Sequence, residues 1–141
     1  MTKLLMPKID RKLISRKQEI VSALKKIIKS ENILDHEDQV RPFETDGLSA
    51  YKQKPLLVIF PENTKEVSKI LAFCNTERIK VVPRGAGTGL SGGALPLADS
   101  ILLCLGKFNK ILNIDFKNRC VVAQPGVTNL SITQAVQDKG F

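Results

Sequence analysis

The residues with most to offer chemically lie between Pro83 and Pro96. The stretch reads Pro83-Arg84-Gly85-Ala86-Gly87-Thr88-Gly89-Leu90-Ser91-Gly92-Gly93-Ala94-Leu95-Pro96 and holds five of the chain's nine glycines. Without a Cβ, glycine reaches positive φ and lets a ligand come close to the main chain. Successive backbone N–H groups in such a turn converge into a nest that binds an anion, most often a phosphate. Gly85 to Gly93 are therefore the candidate phosphate cradle. Thr88 and Ser91 add hydroxyl donors within it. Arg84 has two readings: it neutralises phosphate charge, or it pins the end of the preceding strand.

Spacing narrows the type of loop. Gly87, Gly89 and Gly92 fit G-x-G-x-x-G, but a dinucleotide fold needs a helix to open inside that motif, with its N-terminus at the pyrophosphate. Gly92, Gly93 and Pro96 work against such a helix, and the apolar run Ser100 to Leu105 follows as a strand. A Walker A loop is excluded because Gly92 is followed by Gly93, where that motif has Lys and then Ser or Thr. The loop must hold its anion by main-chain amides between two strands.

Taken with Gln124-Pro125-Gly126-Val127, this loop resembles the vanillyl-alcohol-oxidase-type FAD-binding family, and within it the D subunits of bacterial glycolate oxidases. Arg41 to Tyr51, Pro55 to Pro61 and Asn129 to Val136 carry the same resemblance, so it spans essentially the whole chain. It implies an FAD cofactor whose pyrophosphate sits on Pro83 to Gly93, with Gly126 near the flavin. It implies a parent enzyme that oxidises a small 2-hydroxy acid, glycolate or D-lactate, to the 2-oxo acid. It also implies partner subunits, one of them iron–sulfur. Members of the family continue into a second glycine-rich FAD segment and a cap domain that carries the catalytic residues. The expectation is that these 141 residues are the truncated first part of such an enzyme, with no catalytic residue of their own. A non-catalytic remnant, or a module that docks through its basic helix, is the alternative.

Composition sets the outer bounds. The length suits one domain with a real core, and no apolar run is long enough to span a bilayer. The N-terminal segment lacks the apolar region and cleavage site of a secretory signal. A cytoplasmic protein is expected, held at the inner membrane only through partner subunits. The net charge of +8 is concentrated at the start, where residues 1–30 carry nine Lys or Arg against Asp10 and Glu19. Scarce aromatics and the lack of a recognition motif there exclude nucleic acid as the partner and leave a solvated or subunit-docking helix face. Cys74, Cys104 and Cys120 show no metal-ligand spacing and read as small core residues of a reduced protein. The single histidine, His36, lies in an acidic segment far from the loop, so FAD is expected to be held non-covalently.

The elements that must position the loop follow from periodicity. Ser15 and Gln18 form a capping-box pattern before the apolar positions Ile20, Val21, Leu24, Ile27 and Ile28, which predicts a helix over 15–31. Residues 35–55 read as an irregular lead-in, and Thr45-Asp46-Gly47 within them as a turn. Leu56 to Phe60 predicts a strand, Asn63 and Glu66 the start of a helix over 64–78, and Lys80 to Pro83 a strand ending at the loop. Strands are predicted at 100–105, 109–116 and 119–124, the last two as an antiparallel hairpin. A helix over 128–139 follows, stopped by Gly140. The expected fold is α/β (α+β): one mixed sheet of about five strands with flanking helices, divided into a lead-in (1–50) and the start of an FAD-binding domain (51–141).

Overall fold

The computed structural model describes residues 7–141. The short helices α1 (Arg11–Ser15) and α2 (Lys17–Leu24) come first, followed by β1 (Ile33–Leu34) and α3 (Glu37–Val40). Then come β2 (Leu57–Ile59), α4 (Thr64–Thr76), β3 (Lys80–Arg84) and β4 (Ser100–Cys104). The hairpin β5 (Ile111–Asp115) and β6 (Cys120–Ala123) leads to α5 (Asn129–Val136).

Strand alternation builds two cores on one sheet. Leu57, Ile59, Ile101 and Leu103 face Leu13, Ile20, Val21, Leu24, Ile70 and Cys74. Their in-between neighbours Val58, Leu102 and Cys104 face Val40, with Phe43 and Phe60 packed alongside. Side chains two residues apart share a face, so β2 and residues 101–104 of β4 are apolar because both faces are covered. Each fully buried Leu or Ile is worth about 1.5–3 kcal/mol, and this double-sided burial makes β4 the centre of the fold.

The strand order is β1-β2-β4-β3. β2, β3 and β4 run parallel, and β1 is antiparallel to β2. α4 thus carries the chain from β2 over to β3, and β4 then inserts between them. Asn63 caps α4 by accepting from the Glu66 N–H at 2.9 Å, as its spacing predicts. The mixed sheet and flanking helices agree with the expected fold class. The expected single sheet of about five strands is instead a four-stranded sheet plus a separate two-stranded hairpin.

Other differences have local causes. The first helix begins at Arg11, not Ser15, because the Asp10 carboxylate caps the Lys12 and Leu13 N–H groups at 2.9 and 3.2 Å. Ser15 ends that helix, its hydroxyl donating to the Lys12 carbonyl. The chain kinks at Arg16 and restarts, and α2 is finished by Leu24. The segment read as irregular holds α3 and a 3-10 turn, Arg41–Phe43, because Val40 and Phe43 have the underside of the sheet to cover.

α5 does not pack on the main sheet. Ile132 and Val136 share a small cavity with Ile114, Val121 and Phe141 on the hairpin side. Thr128 caps α5 through the Ser131 N–H, and Gly140 takes the left-handed conformation with φ 80°. Cys74 and Cys104 are buried as expected, but Cys120 is exposed, because it lies on the hairpin and not in a core.

The N-terminal arm is tied down by Asp99. Its carboxylate, 1% exposed, accepts from Lys80 Nζ and from the Asp10 N–H, both at 2.7 Å. Burial opposes its ionisation, yet these donors outweigh it and hold the carboxyl below its ordinary range.

Candidate functional site

The glycine-rich loop leaves the C-terminal end of β3, the end at which parallel sheets commonly bind ligands. No helix forms between residues 85 and 99, so the turn is not a Rossmann one. Most of the loop is solvent-exposed, including Gly85, Ala86, Thr88, Gly89, Leu90, Ser91 and Gly93. Among the described residues, no backbone N–H from Gly85 to Gly93 donates to another protein group. These donors are therefore available to a ligand.

The five glycines divide into two kinds. Gly87 and Gly92 have φ of 74° and 73°, which a side chain would strain. Gly85, Gly89 and Gly93 have ordinary φ, and a Cβ on any of them would meet nothing within 4 Å. Nothing in the folded chain requires glycine at these three positions. Close approach by a ligand from the open side would require it.

Beneath the loop lies Arg84, 7% exposed. One guanidinium nitrogen, Nη2, donates to the Thr45 carbonyl at 2.6 Å and to the Ala94 carbonyl at 2.8 Å. Gly87 packs over the same side chain, its Cβ position 3.4 Å from the guanidinium carbon. Of the two readings of Arg84, the contacts favour the pin: the side chain closes the loop's base from below. Its Nε is buried without a hydrogen-bond partner. Cys104, paired with Arg84 across the sheet, is no nucleophile: burial pushes its thiol up to about 11, although the guanidinium pulls the other way.

Gly126 sits elsewhere on the same edge. A chain of hydrogen bonds runs from the Leu105 N–H to Arg84 O, from the Phe108 N–H to Leu105 O, and from the Gly126 N–H to Phe108 O at 2.7 Å. A Cβ on Gly126 would lie 2.7 Å from Leu105 O and 2.8 Å from Phe108 O. The 105–108 turn thus accounts for this glycine, and the structure does not bring Gly126 into contact with the loop.

Thr45-Asp46-Gly47 is more than the turn its composition predicts. Asp46 Oδ1 does accept from the Leu48 N–H at 2.9 Å, but Oδ2 accepts from the Ala94 N–H at 3.3 Å. Gly47 packs directly on the loop backbone. No local sequence signal reveals this, since the two segments are some forty residues apart.

A family model described as an FAD binding domain matches residues 55–141. The chain belongs to that FAD-binding-domain family. It is 45% identical over 131 residues to the glycolate oxidase subunit GlcD of Escherichia coli K12, which covers 93% of this chain and 25% of that protein. It is 35% identical over 121 residues to the mitochondrial D-2-hydroxyglutarate dehydrogenase of Arabidopsis thaliana, covering 86% and 22%.

Among solved structures, 4-ethylphenol oxidase from Gulosibacter chungangensis superposes with a TM-score of 0.79 at 27% identity, covering 97% of this chain and 27% of that one. p-Cresol methylhydroxylase, at 21% identity and a TM-score of 0.78, shares the fold, over 93% of this chain and 26% of its own. The chain spans about a quarter of the length of the relatives it matches. No helix among the described residues is long and apolar enough to cross a membrane.

Proposed function

We propose that this chain is the pyrophosphate-binding part of an FAD-dependent enzyme that oxidises a 2-hydroxy acid, glycolate or D-lactate, to the 2-oxo acid. The observation that carries the reading is the exposed loop whose glycines at 85, 89 and 93 serve no purpose within the fold, with unused N–H donors beside them. The residues that would hold the diphosphate are Gly85 to Gly93, with Thr88 and Ser91 hydroxyls at the rim and the Arg84 cation below. Bound FAD supplies the redox chemistry, and the protein's work is to hold and orient it. We propose that these residues hold FAD non-covalently: the loop contains no histidine, cysteine or tyrosine, and the His36 side chain is 81% exposed at the start of α3.

The chain spans about a quarter of its relatives' length, and we assign no catalytic residue within it. Names such as glycolate oxidase subunit GlcD and D-2-hydroxyglutarate dehydrogenase among those relatives support the 2-hydroxy-acid class. The word "subunit" in the GlcD name supports association with further oxidase chains, and we propose that one of them is an iron–sulfur subunit. We place the protein in the cytoplasm, reaching the membrane only through such partners. Residues 1–50 act as lead-in and 51–141 as the start of the FAD domain proper.

A half-site loses the enclosure around the flavin ring. The chain alone is therefore expected to bind ADP in the millimolar range, about −4 kcal/mol, and FAD little better. Titration of purified protein with both nucleotides, followed by flavin fluorescence and calorimetry, tests this. Absence of any saturable binding in that range overturns the phosphate-loop reading. A stoichiometric yellow complex at micromolar FAD overturns the half-site reading. The substrate class is tested by dye reduction with glycolate and D-lactate on the protein as expressed from its own gene.

A further inference from the structure

We propose that Asp46 and Gly47 are positioning residues of the cofactor loop: the Thr45–Leu48 turn is the template on which residues 85–94 take their binding shape before a ligand arrives. This rests on the reading of that loop as the FAD pyrophosphate site.

Three contacts from one short segment hold the loop at its base and its middle. At the base, Ala94 is gripped by both of its polar backbone groups. Its N–H donates to Asp46 Oδ2, and its carbonyl accepts from Arg84 Nη2, which also donates to Thr45 O. Arg84 opens the loop and Ala94 ends it, so this pair of charges works as a clasp across the loop's mouth. Both side chains are buried, Asp46 at 6% and Arg84 at 7% exposure, so water does not compete for these bonds. A second Asp46 bond, from the Leu48 N–H, fixes the turn itself.

At the middle, Gly47 lies against Thr88 and Gly89. A Cβ there would sit 2.6 Å from Thr88 O, 2.7 Å from Gly89 O and 2.8 Å from the Thr88 carbonyl carbon. Gly47 has ordinary φ, so its conformation does not call for glycine. The loop's proximity does. Its neighbours are backbone atoms, which cannot swing aside as a flexible side chain would. A methyl at 47 must push the loop's centre outward by about half an ångström or more. Donor arrays lose much of their value when displaced by about 1 Å.

The test uses Gly47→Ala and Asp46→Asn in the full chain. Asn keeps the size of Asp46 but presents an NH2 where one of the two acceptors stood. Backbone NMR shifts of the unliganded protein report on the loop without reference to any ligand. Thermal unfolding reports on the fold, and ADP titration on binding. The expected result is shift changes concentrated in residues 85–94 for both variants, a cooperative unfolding transition retained, and ADP affinity down about tenfold or more. Unchanged loop shifts in both variants, or ADP affinity equal to the parent's, overturns the proposal. If the parent itself fails to bind ADP while the loop shifts still move, the positioning stands and the phosphate reading falls.

Discussion

Replacing Gly89 and Gly87 by alanine, one at a time, should move stability and ligand affinity in different patterns. Gly89 has ordinary φ and open space where its Cβ would go. Alanine there removes backbone freedom from the unfolded chain and should stabilise the fold by about 0.4–1 kcal/mol, which raises Tm by roughly 1–4 °C. The same methyl stands where a phosphate oxygen must approach the main chain. Loss of one charge-assisted hydrogen bond, about 1.5–3 kcal/mol, weakens nucleotide binding roughly ten- to a hundredfold. Gly87 is the counter-case. Its φ of 74° places alanine in the left-handed region, at a cost of about 1–2 kcal/mol, so Gly87→Ala should lower Tm as well as affinity. Thermal unfolding by circular dichroism, with ADP titration of the same preparations, reads both quantities. If Gly89→Ala binds ADP as the parent does, or if it loses stability as Gly87→Ala does, the argument that the open glycines exist for a ligand is refuted.

Arg84→Lys keeps the buried charge, but its Nζ stops one bond short of Nη2, the single nitrogen that donates to both Thr45 O and Ala94 O; it should cost about 1.5–3 kcal/mol in denaturant unfolding. A loss below about 0.5 kcal/mol, within the ordinary noise of surface changes, would show that the clasp is not what Arg84 contributes. Gly126→Ala puts a methyl 2.7 Å from Leu105 O and should destabilise by about 1–3 kcal/mol, seen as a lower Tm. Iodoacetamide at pH 8 should modify exposed Cys120 alone, with Cys74 and Cys104 reacting only on unfolding, as counted by mass spectrometry. Burial pushes both inner thiols up to about 11. The folded state therefore keeps protons that the unfolded chain releases from about pH 9, and stability should fall between about pH 9 and 11 in alkaline titration.

What could be determined from the sequence was what depends on neighbours a few residues apart. The strands Leu57–Ile59 and Ser100–Cys104, the Asn63 cap with Glu66, the β5–β6 turn and the Gly140 stop are all local, and each lies where its spacing places it. The exposed glycine-rich turn between β3 and β4 was legible for the same reason, because glycine density and the absence of a following helix are written within a dozen residues. Even a local signal fails when a stronger competitor stands upstream. Asp10 caps two N–H groups and brings Leu13 into the core, so Ser15 never becomes a cap.

Tertiary structure decided what depends on residues brought together from a distance. The insertion of β4 between β2 and β3, and the addition of β1, follow from covering two apolar faces at once, which no window of sequence measures. The hairpin's separation from the main sheet is of the same kind. The two kinds of glycine in the loop, with positive φ at 87 and 92 and with ordinary φ and open space at 85, 89 and 93, are alike in the sequence and differ only in φ and in what lies nearby. Gly47 and Gly126 are glycines because a backbone from another part of the chain passes within van der Waals reach. Such contact is a property of packing, and the one-letter string carries no trace of it.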